Sequence, residues 1–336
     1  MFNLNSPEIK FALQATRQAS LLVRQVEAEL VSPALTKDDH SPVTVADFAA
    51  QALVGYLLRK SFPADPLVAE EDSAALRQPG VASTLDLVTE FVSRFVNHAN
   101  STQVCKWIDH GQADGGTEHR STPRFWTLDP IDGTKGFLRG DQYAVALALI
   151  EQGQVQVGVL GCPGLSDGYR PDLDGLGSLV IAARGQGAWT TSLAAPENYD
   201  RLHVSTRSDP TQARLLRSFE PGHTNVSQID LFARALGVQA EPVRMDSQAK
   251  YAVLAAGKGD LLLRLLSASR PDYREKIWDQ AAGSLVLEEA GGCITDLDGR
   301  PLDFTTGRSL THNRGILASN GFLHPAALGA LRTIGV

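Results

Sequence analysis

The chain has 336 residues, 43% hydrophobic and 21% charged. That balance excludes a disordered or fibrous polypeptide and is long enough for two globular domains. The formal net charge is −7 with no run of Lys or Arg, which argues against a nucleic-acid partner but allows a small anion held by a local cluster.

Residues 7–31 predict a helix. Ile9, Leu13, Ala15, Ala19, Leu22, Val23, Val26 and Leu30 recur at spacings of three and four behind a Ser6–Pro7 start. A polar loop, TKDDHSPVT, leads to a second helix expected from Thr44 to Lys60. PLVAEEDS reads as a short strand ending in acids, residues 74–100 as helical, and GQADGGTEHRSTP as a glycine-rich insertion with no assigned role. Phe125–Leu128 is expected to be a strand feeding LDPIDGTKG. YAVALALI and VQVGVLG flank EQGQ as a hairpin, and LVIAARGQGAWTT continues the strand pattern. Near residue 200 the texture changes. Strand-like stretches (ARLLRSFE, GDLLLRLL) alternate with helix-like ones (SQIDLFARALG, DQAAGSLVLEEAG), and a strand and turn follow near 313–321. We place a domain boundary at 195–205, giving domains 1–200 and 201–336.

Cys105, Cys162 and Cys293 are far apart and lack C-x-x-C spacing, so they are expected as buried free thiols of a reducing compartment. No apolar stretch approaches the ~20 residues of a membrane span, and the N-terminus lacks a signal-peptide pattern. A cytoplasmic location without a membrane partner is the expectation.

The chemistry concentrates in acids. In L-D-P-I-D-G, Pro130 cannot donate a backbone hydrogen bond and Gly133 permits a tight turn, so Asp129 and Asp132 point to one side at a strand end. Like charges that close raise one another's pKa unless a cation compensates, and carboxylate and carbonyl oxygens, including the Ile131 carbonyl, suit Mg²⁺. Taken alone, the motif also fits a surface turn with capping aspartates. Gly133 and Thr134 open the next segment, where free N–H groups favour a phosphate. Glu70, Glu71 and Asp72 either enter the same site or line a solvated loop. Asp47 follows Thr44 as in a capping box, and Asp279 stands where a helix N-cap is expected. Ligation and capping are compatible for both. G-x-S-x-G, a P-loop and H-E-x-x-H are absent.

Four segments in order, SPVTVADFAAQ, LVAEEDS, WTLDPIDGTKGF and KIWDQAAGSLVLEEAGG, resemble the lithium-sensitive, magnesium-dependent inositol monophosphatase superfamily. Within it, DGTKGFLRG, MDSQAKYAVLAAGKGDLLLRL and EKIWDQAAG are most similar to the branch of bisphosphate nucleotidases. The resemblance implies a layered αβαβα fold with an α+β N-terminal domain, an α/β C-terminal domain and the active site in the cleft between them. It implies two to three Mg²⁺ ions on Glu70, Asp129, Ile131, Asp132 and Asp279, with Asp47 and Thr134 orienting and activating water. Gly133 and Thr134 match the phosphate nest, and His223, Ser247, Lys250 and Arg264 match positions that hold the nucleotide. The implied substrate is a small nucleotide bisphosphate of sulfur assimilation, adenosine 3′,5′-bisphosphate or its phosphosulfate counterpart, with an inositol phosphate as the alternative. The sequence departs from the family at Ala69, where glycine is common before the acids.

Overall fold

The computed structural model describes residues 3–30, 42–78, 80–114, 124–218, 226–266 and 270–336. Its helices are α1 (Pro7–Leu30), α2 (Pro42–Ser61), α3 (Ala82–Ser93), α4 (Ser101–Asp109), α5 (Thr134–Arg139), α6 (Val226–Leu236), α7 (Ala249–Ala255), α8 (Ala281–Glu289) and α9 (His324–Thr333). The strands are β1 (Leu67–Ala69), β2 (Arg124–Asp132), β3 (Ala144–Glu151), β4 (Gln154–Cys162), β5 (Leu165–Ser166), β6 (Arg170–Pro171), β7 (Ser178–Ala183), β8 (Gly187–Ser192), β9 (Asp200–Leu202), β10 (Leu215–Arg217), β11 (Val243–Arg244), β12 (Leu261–Arg264), β13 (Cys293–Thr295) and β14 (Ile316–Ser319).

Among the described residues, one sheet runs β1-β2-β3-β4-β7-β8-β9 and a second runs β11-β10-β12-β14-β13, with β5 and β6 as a small ribbon. In the first sheet β1 lies parallel to β2 and the remaining pairs are antiparallel. In the second, β10 is parallel to β11 and β12, whereas β14 is antiparallel to β12 and β13.

Both sheets are buried on both faces, and strand period two decides which residue goes where. On β3, Val145, Leu147 and Leu149 pack with the α1–α4 layer. Ala144, Ala146, Ala148 and Ile150 face the other way, toward Leu285 and Val286 of α8 and the apolar residues of α7. The second sheet repeats this. Leu262 and Ala318 join that middle layer, while Leu261, Leu263 and Leu317 pack against Ile229 and Phe232 of α6 and Ala327 and Leu331 of α9. The order is therefore helix, sheet, helix, sheet, helix, the αβαβα arrangement.

Small residues set the spacing. At Gly158 of β4 an added Cβ would lie 2.8 Å from the Ala282 carbonyl oxygen of α8. The alanines of β3 extend the same shallow surface, so α8 sits close against the sheet.

Several expectations are corrected. Residues 74–100 do not form one helix. Gly80 adopts φ +96°, α3 ends at Ser93, and the next helix starts after Asn100, whose side chain accepts from the Gln103 N–H at 3.0 Å. Helix α2 begins at Pro42 rather than Thr44, so Thr44 and Asp47 lie inside it and form no capping box. Helix α8 begins at Ala281 with Gln280 as its cap residue. The Ala281 and Gln280 N–H groups both turn back to the Ile277 carbonyl, at 2.9 and 3.2 Å, so Asp279 is not the N-cap. Cys105 and Cys162 are buried but Cys293 only half-buried, and all three are free. Among the described residues no helix is long and apolar enough to cross a membrane.

Gly158→Ala is expected to lower unfolding stability by about 1–3 kcal/mol, since overpacking forces helix and sheet apart. Urea unfolding with an unchanged midpoint would contradict the close approach.

Candidate active site

The DPIDG turn is built by a bulge. Asp129 pairs opposite Ala146 and Asp132 opposite Ala144, so three steps on β2 match two on β3. The Asp129 carboxylate accepts from the Ile131 N–H at 3.1 Å, and the Ile131 carbonyl accepts from the Thr134 hydroxyl at 3.5 Å. Gly133 takes φ +92°, and a Cβ there would meet the Ser247 Cβ at 2.7 Å. Both facts require glycine.

Glu70 arrives by register. Ala69 pairs in parallel with Leu128, so Glu70 and Asp129 leave neighbouring strands side by side. The following loop is fastened by Gln51 of α2, which accepts from the Glu71 N–H at 3.0 Å and donates to the carbonyls of Glu71 at 2.5 Å and Ile108 at 2.9 Å. The methyl of Ala69 is accommodated because its neighbour is Gly111, where a Cβ would come within 2.8 Å of it. Asp47 is buried on α2, and its Oδ1 has no hydrogen-bond partner. Helix α2 packs on α5, which opens with Thr134, but among the described residues no hydrogen bond joins Asp47 to Thr134.

The opposite wall comes from α7, β12 and the turn before α8. Gln248 is the tie. Its N–H donates to the Asp132 carboxylate at 2.9 Å, its side-chain amide donates to the Trp278 carbonyl at 2.9 Å, and its side-chain oxygen accepts from the Gly283 N–H at 3.1 Å. Ser247 beside it holds φ +66°. Arg264, at the end of β12, lies 3.0 Å from Glu275 and 3.9 Å from Asp279. Glu275 also accepts from Gln280 at 3.0 Å, and Gln280 from the Tyr251 hydroxyl at 2.5 Å. Lys250 is buried on α7.

These pieces enclose a cavity of about 420 Å³ lined by Glu70, Asp129, Ile131, Asp132, Gly133, Thr134, Ser247, Lys250, Arg264 and Asp279. Asp47 is not among its lining residues, although its charge reaches Asp129. His223 lies outside the described residues. Sequence reasoning missed Ser218 and Tyr273, which also line the cavity; neither sits in a motif. It quoted the D-S-Q stretch without seeing the Gln248 tie, because a glutamine contacting three distant segments has no local signature.

Burial raises the acids, and for most of them neighbouring carboxylates add to it. Desolvation, then Glu71 and Asp132, lift Glu70 from 4.5 to about 7, even though solvent reaches part of the residue. Burial and the charges of Glu70, Asp132 and Asp279 push Asp129 well above its ordinary value. Burial also raises Asp279 well above its own, against the pull of Arg264. Asp132 is raised by burial, opposed by Arg264, Lys250 and the Gln248 N–H. Burial and the Glu71 and Glu70 charges raise Asp47 strongly. Desolvation, with Arg264 adding to it, lowers Lys250 to about 8.

An inositol monophosphatase family model matches residues 4–335. The chain belongs to the inositol monophosphatase family. It is 41% identical to a 3′(2′),5′-bisphosphate nucleotidase of Schizosaccharomyces pombe, covering 93% of this chain and 91% of that one. It is also 41% identical to a 3′(2′),5′-bisphosphate nucleotidase of Oryza sativa, covering 98% and 95%. Among solved structures, an inositol monophosphatase from Anabaena superposes with a TM-score of 0.62 at 24% identity, covering 99% of this chain and 97% of that one. CysQ from Bacteroides thetaiotaomicron does so with 0.61 at 19%, covering 95% and 99%. These two support the fold.

The family is metal-dependent, and the donors here fit a hard divalent cation. Glu70, Asp129, Asp132 and Asp279 line the cavity together and offer only oxygens, and like charges brought this close favour a cation. Among the described residues no three acidic, His or Cys side chains form a ready-made ligand group; Ile131 lines the same cavity.

Protonation should therefore compete with a divalent ion. With Glu70 raised to about 7, the metal-free folded state holds more protons than the unfolded chain between the ordinary and raised values. The cluster's contribution to stability is thus lost as pH rises through that window. Mg²⁺, which needs the carboxylates ionised, should raise Tm more at about pH 8 than at about pH 5. Equal gains in differential scanning calorimetry would count against a carboxylate site.

Proposed function

We propose that the chain is a Mg²⁺-dependent 3′(2′),5′-bisphosphate nucleotidase that removes the 3′-phosphate of adenosine 3′,5′-bisphosphate to give AMP. The observation that carries this reading is the convergence of Glu70, Asp129, Asp132 and Asp279, from separate segments, on one cavity whose far wall presents buried Lys250. The identity to nucleotidases over more than nine-tenths of the chain supports the substrate class. In this reading residues 1–200 supply most of the acids, residues 201–336 supply Asp279 and the nucleotide contacts, and the compartment is the cytoplasm.

Glu70, Asp129, the Ile131 carbonyl, Asp132 and Asp279 would hold two Mg²⁺ ions, with a third, weaker one nearby. When bound, Mg²⁺ makes water more acidic and neutralises charge developing on the phosphoryl oxygens. Phosphate-monoester hydrolysis needs this help, since uncatalysed rates can lie up to ~10²¹-fold below enzymatic ones. Asp47, buried behind the cavity with its pKa raised by that burial, would act through the Thr134 hydroxyl, which orients the water that attacks the 3′-phosphorus as the bond to the ribose 3′-oxygen breaks. The first N–H groups of α5 have no intrahelical acceptor, and with Gly133 they receive the 3′-phosphate. Ser247 and Lys250 hold the second phosphate and the nucleoside. Arg264, paired with Glu275 at 3.0 Å, contributes its remaining donors, since a guanidinium carries five. His223 is assigned to the nucleoside on sequence alone.

The test is phosphate release from a panel: adenosine 3′,5′-bisphosphate, its 5′-phosphosulfate counterpart, inositol 1-phosphate and inositol 1,4-bisphosphate, each with and without Mg²⁺ and Li⁺. Mg²⁺-dependent, Li⁺-inhibited release from the nucleotides ahead of the inositol phosphates is expected. Release from the inositol phosphates alone would overturn the substrate assignment.

Lys250→Ala is expected to raise KM for the nucleotide on the order of 10-fold or more, the loss of one charge-assisted hydrogen bond. It should change KM for a simple phosphate ester little. Equal effects on both substrates would remove Lys250 from the nucleotide contact.

A further inference from the structure

Arg308 lies in the connection between β13 and β14, outside every motif noted in the sequence. Its Nη2 donates to the Ala69 carbonyl. Its Nη1 donates to the carbonyls of Gly111 at 3.3 Å and Ala113 at 3.1 Å. The same guanidinium lies 4.7 Å from the centre of the Trp278 ring, which is itself buried. Ala69 immediately precedes Glu70, and Trp278 immediately precedes Asp279. One side chain therefore grips both the strand end that delivers Glu70 and the turn that delivers Asp279.

The backbone around Arg308 reinforces the grip. The Ile277 N–H donates to the Arg308 carbonyl at 3.2 Å, the Leu310 N–H to the Glu275 carbonyl at 2.9 Å, and Lys276 forms a bridge with Ser309. Residues 308–310 thus run as a strip along 275–277, and the arginine projects from that strip across to β1. β1 is the edge strand of its sheet, so Ala69 has a carbonyl that a donor from outside the sheet can reach. Glu70, Asp72 and Asp114 are near enough to feel the Arg308 charge. Its hydrogen bonds nonetheless go to the backbone carbonyls of Ala69, Gly111 and Ala113, which fixes chain positions rather than neutralising acids.

We propose that Arg308 is a positioning residue that sets the separation of Glu70 and Asp279 across the cleft, and through it the affinity for divalent metal. The proposal rests on the metal-dependent reading of the site. A planar guanidinium suits the task because it donates in a fixed fork and stacks flat on an aromatic face at the same time; a lysine ammonium can lie over a ring but has neither the fork nor the plane.

The sign of the effect separates this role from a simple electrostatic one. A cation beside the cleft repels Mg²⁺, so a residue acting only through charge would, when removed, let Mg²⁺ bind more tightly. A positioning residue predicts weaker binding, because the ligands drift from their shared geometry. The experiment titrates Mg²⁺ into the full chain without substrate by calorimetry. Arg308→Ala should weaken Mg²⁺ binding on the order of 10-fold or more, as for other groups that orient metal ligands. KM for the nucleotide at saturating Mg²⁺ should stay nearly unchanged. Arg308→Lys, which keeps the charge but loses fork and stack, should weaken Mg²⁺ binding in the same direction with far-ultraviolet circular dichroism like that of the parent chain. Unchanged or tighter Mg²⁺ binding in Arg308→Lys overturns the proposal. So does failure of that conservative variant to fold, which would place Arg308 in the framework alone. A parent chain that takes up no Mg²⁺ overturns the metal reading and this proposal together, whereas a parent that binds Mg²⁺ and an Arg308→Lys variant that binds it as well overturn only the positioning role.

Discussion

Carboxylates crowded into one cleft repel each other, and the folding of this chain must hold them there against that repulsion. Asp129 is restrained by the Ile131 N–H and the β2 bulge, Asp132 by the Gln248 N–H, and Asp279 stands beside Arg264. Glu70 is delivered by parallel pairing of β1 with β2. None of these restraints is a direct carboxylate–carboxylate contact. Burial first, and the neighbouring acids after it, appear as raised pKa values of Glu70, Asp129 and Asp279.

The scaffold tolerates this local cost because its cores lie elsewhere. Three apolar clusters follow the layers, and the middle one is shared by the two sheets through α7 and α8. That shared layer is also the route by which distant segments meet. Gln248 opens α7, reaches the turn before α8 and touches Asp132 of the first sheet. The cleft is therefore formed by the sides of well-packed elements, with short turns at their ends. Such an arrangement suits a site that must keep several oxygens within a few tenths of an ångström of a working geometry.

Part of this was visible beforehand. The layered fold followed from the resemblance, and Glu70, Asp129, Ile131, Asp132, Gly133, Thr134, Ser247, Lys250, Arg264 and Asp279 were named from motifs and the resemblance; they share one cavity, which Asp246, not named, lines too. Their individual chemical roles remain proposals. What failed was local. Asp47 and Asp279 each sat at a plausible cap position, yet α2 starts earlier and α8 later than the capping patterns indicated. Both acids are placed by tertiary packing, which overrides a weak capping preference. Residues 74–100 are helical only in part, since Gly80 and the Asn100 cap interrupt the stretch. Ala69 departs from the family pattern without blocking the site, since Gly111 gives up the space its methyl needs; that pairing spans 42 positions of chain and has no local signature.

The sequence by itself determined which atoms are available: a turn that Pro130 and Gly133 force, an acid-tipped short strand, alternating apolar runs that must be buried, and oxygen donors of a kind that hard cations prefer. Those follow from covalent geometry and side-chain chemistry, which act over a few residues. Tertiary structure decided how the donors face one another. The register of β1 on β2, the reach of Gln248, the engagement of Arg264 by Glu275 and the grip of Arg308 on Ala69 and Trp278 all join residues remote in the chain. Such contacts depend on how whole layers pack, and packing is a property of the assembled core rather than of any local stretch.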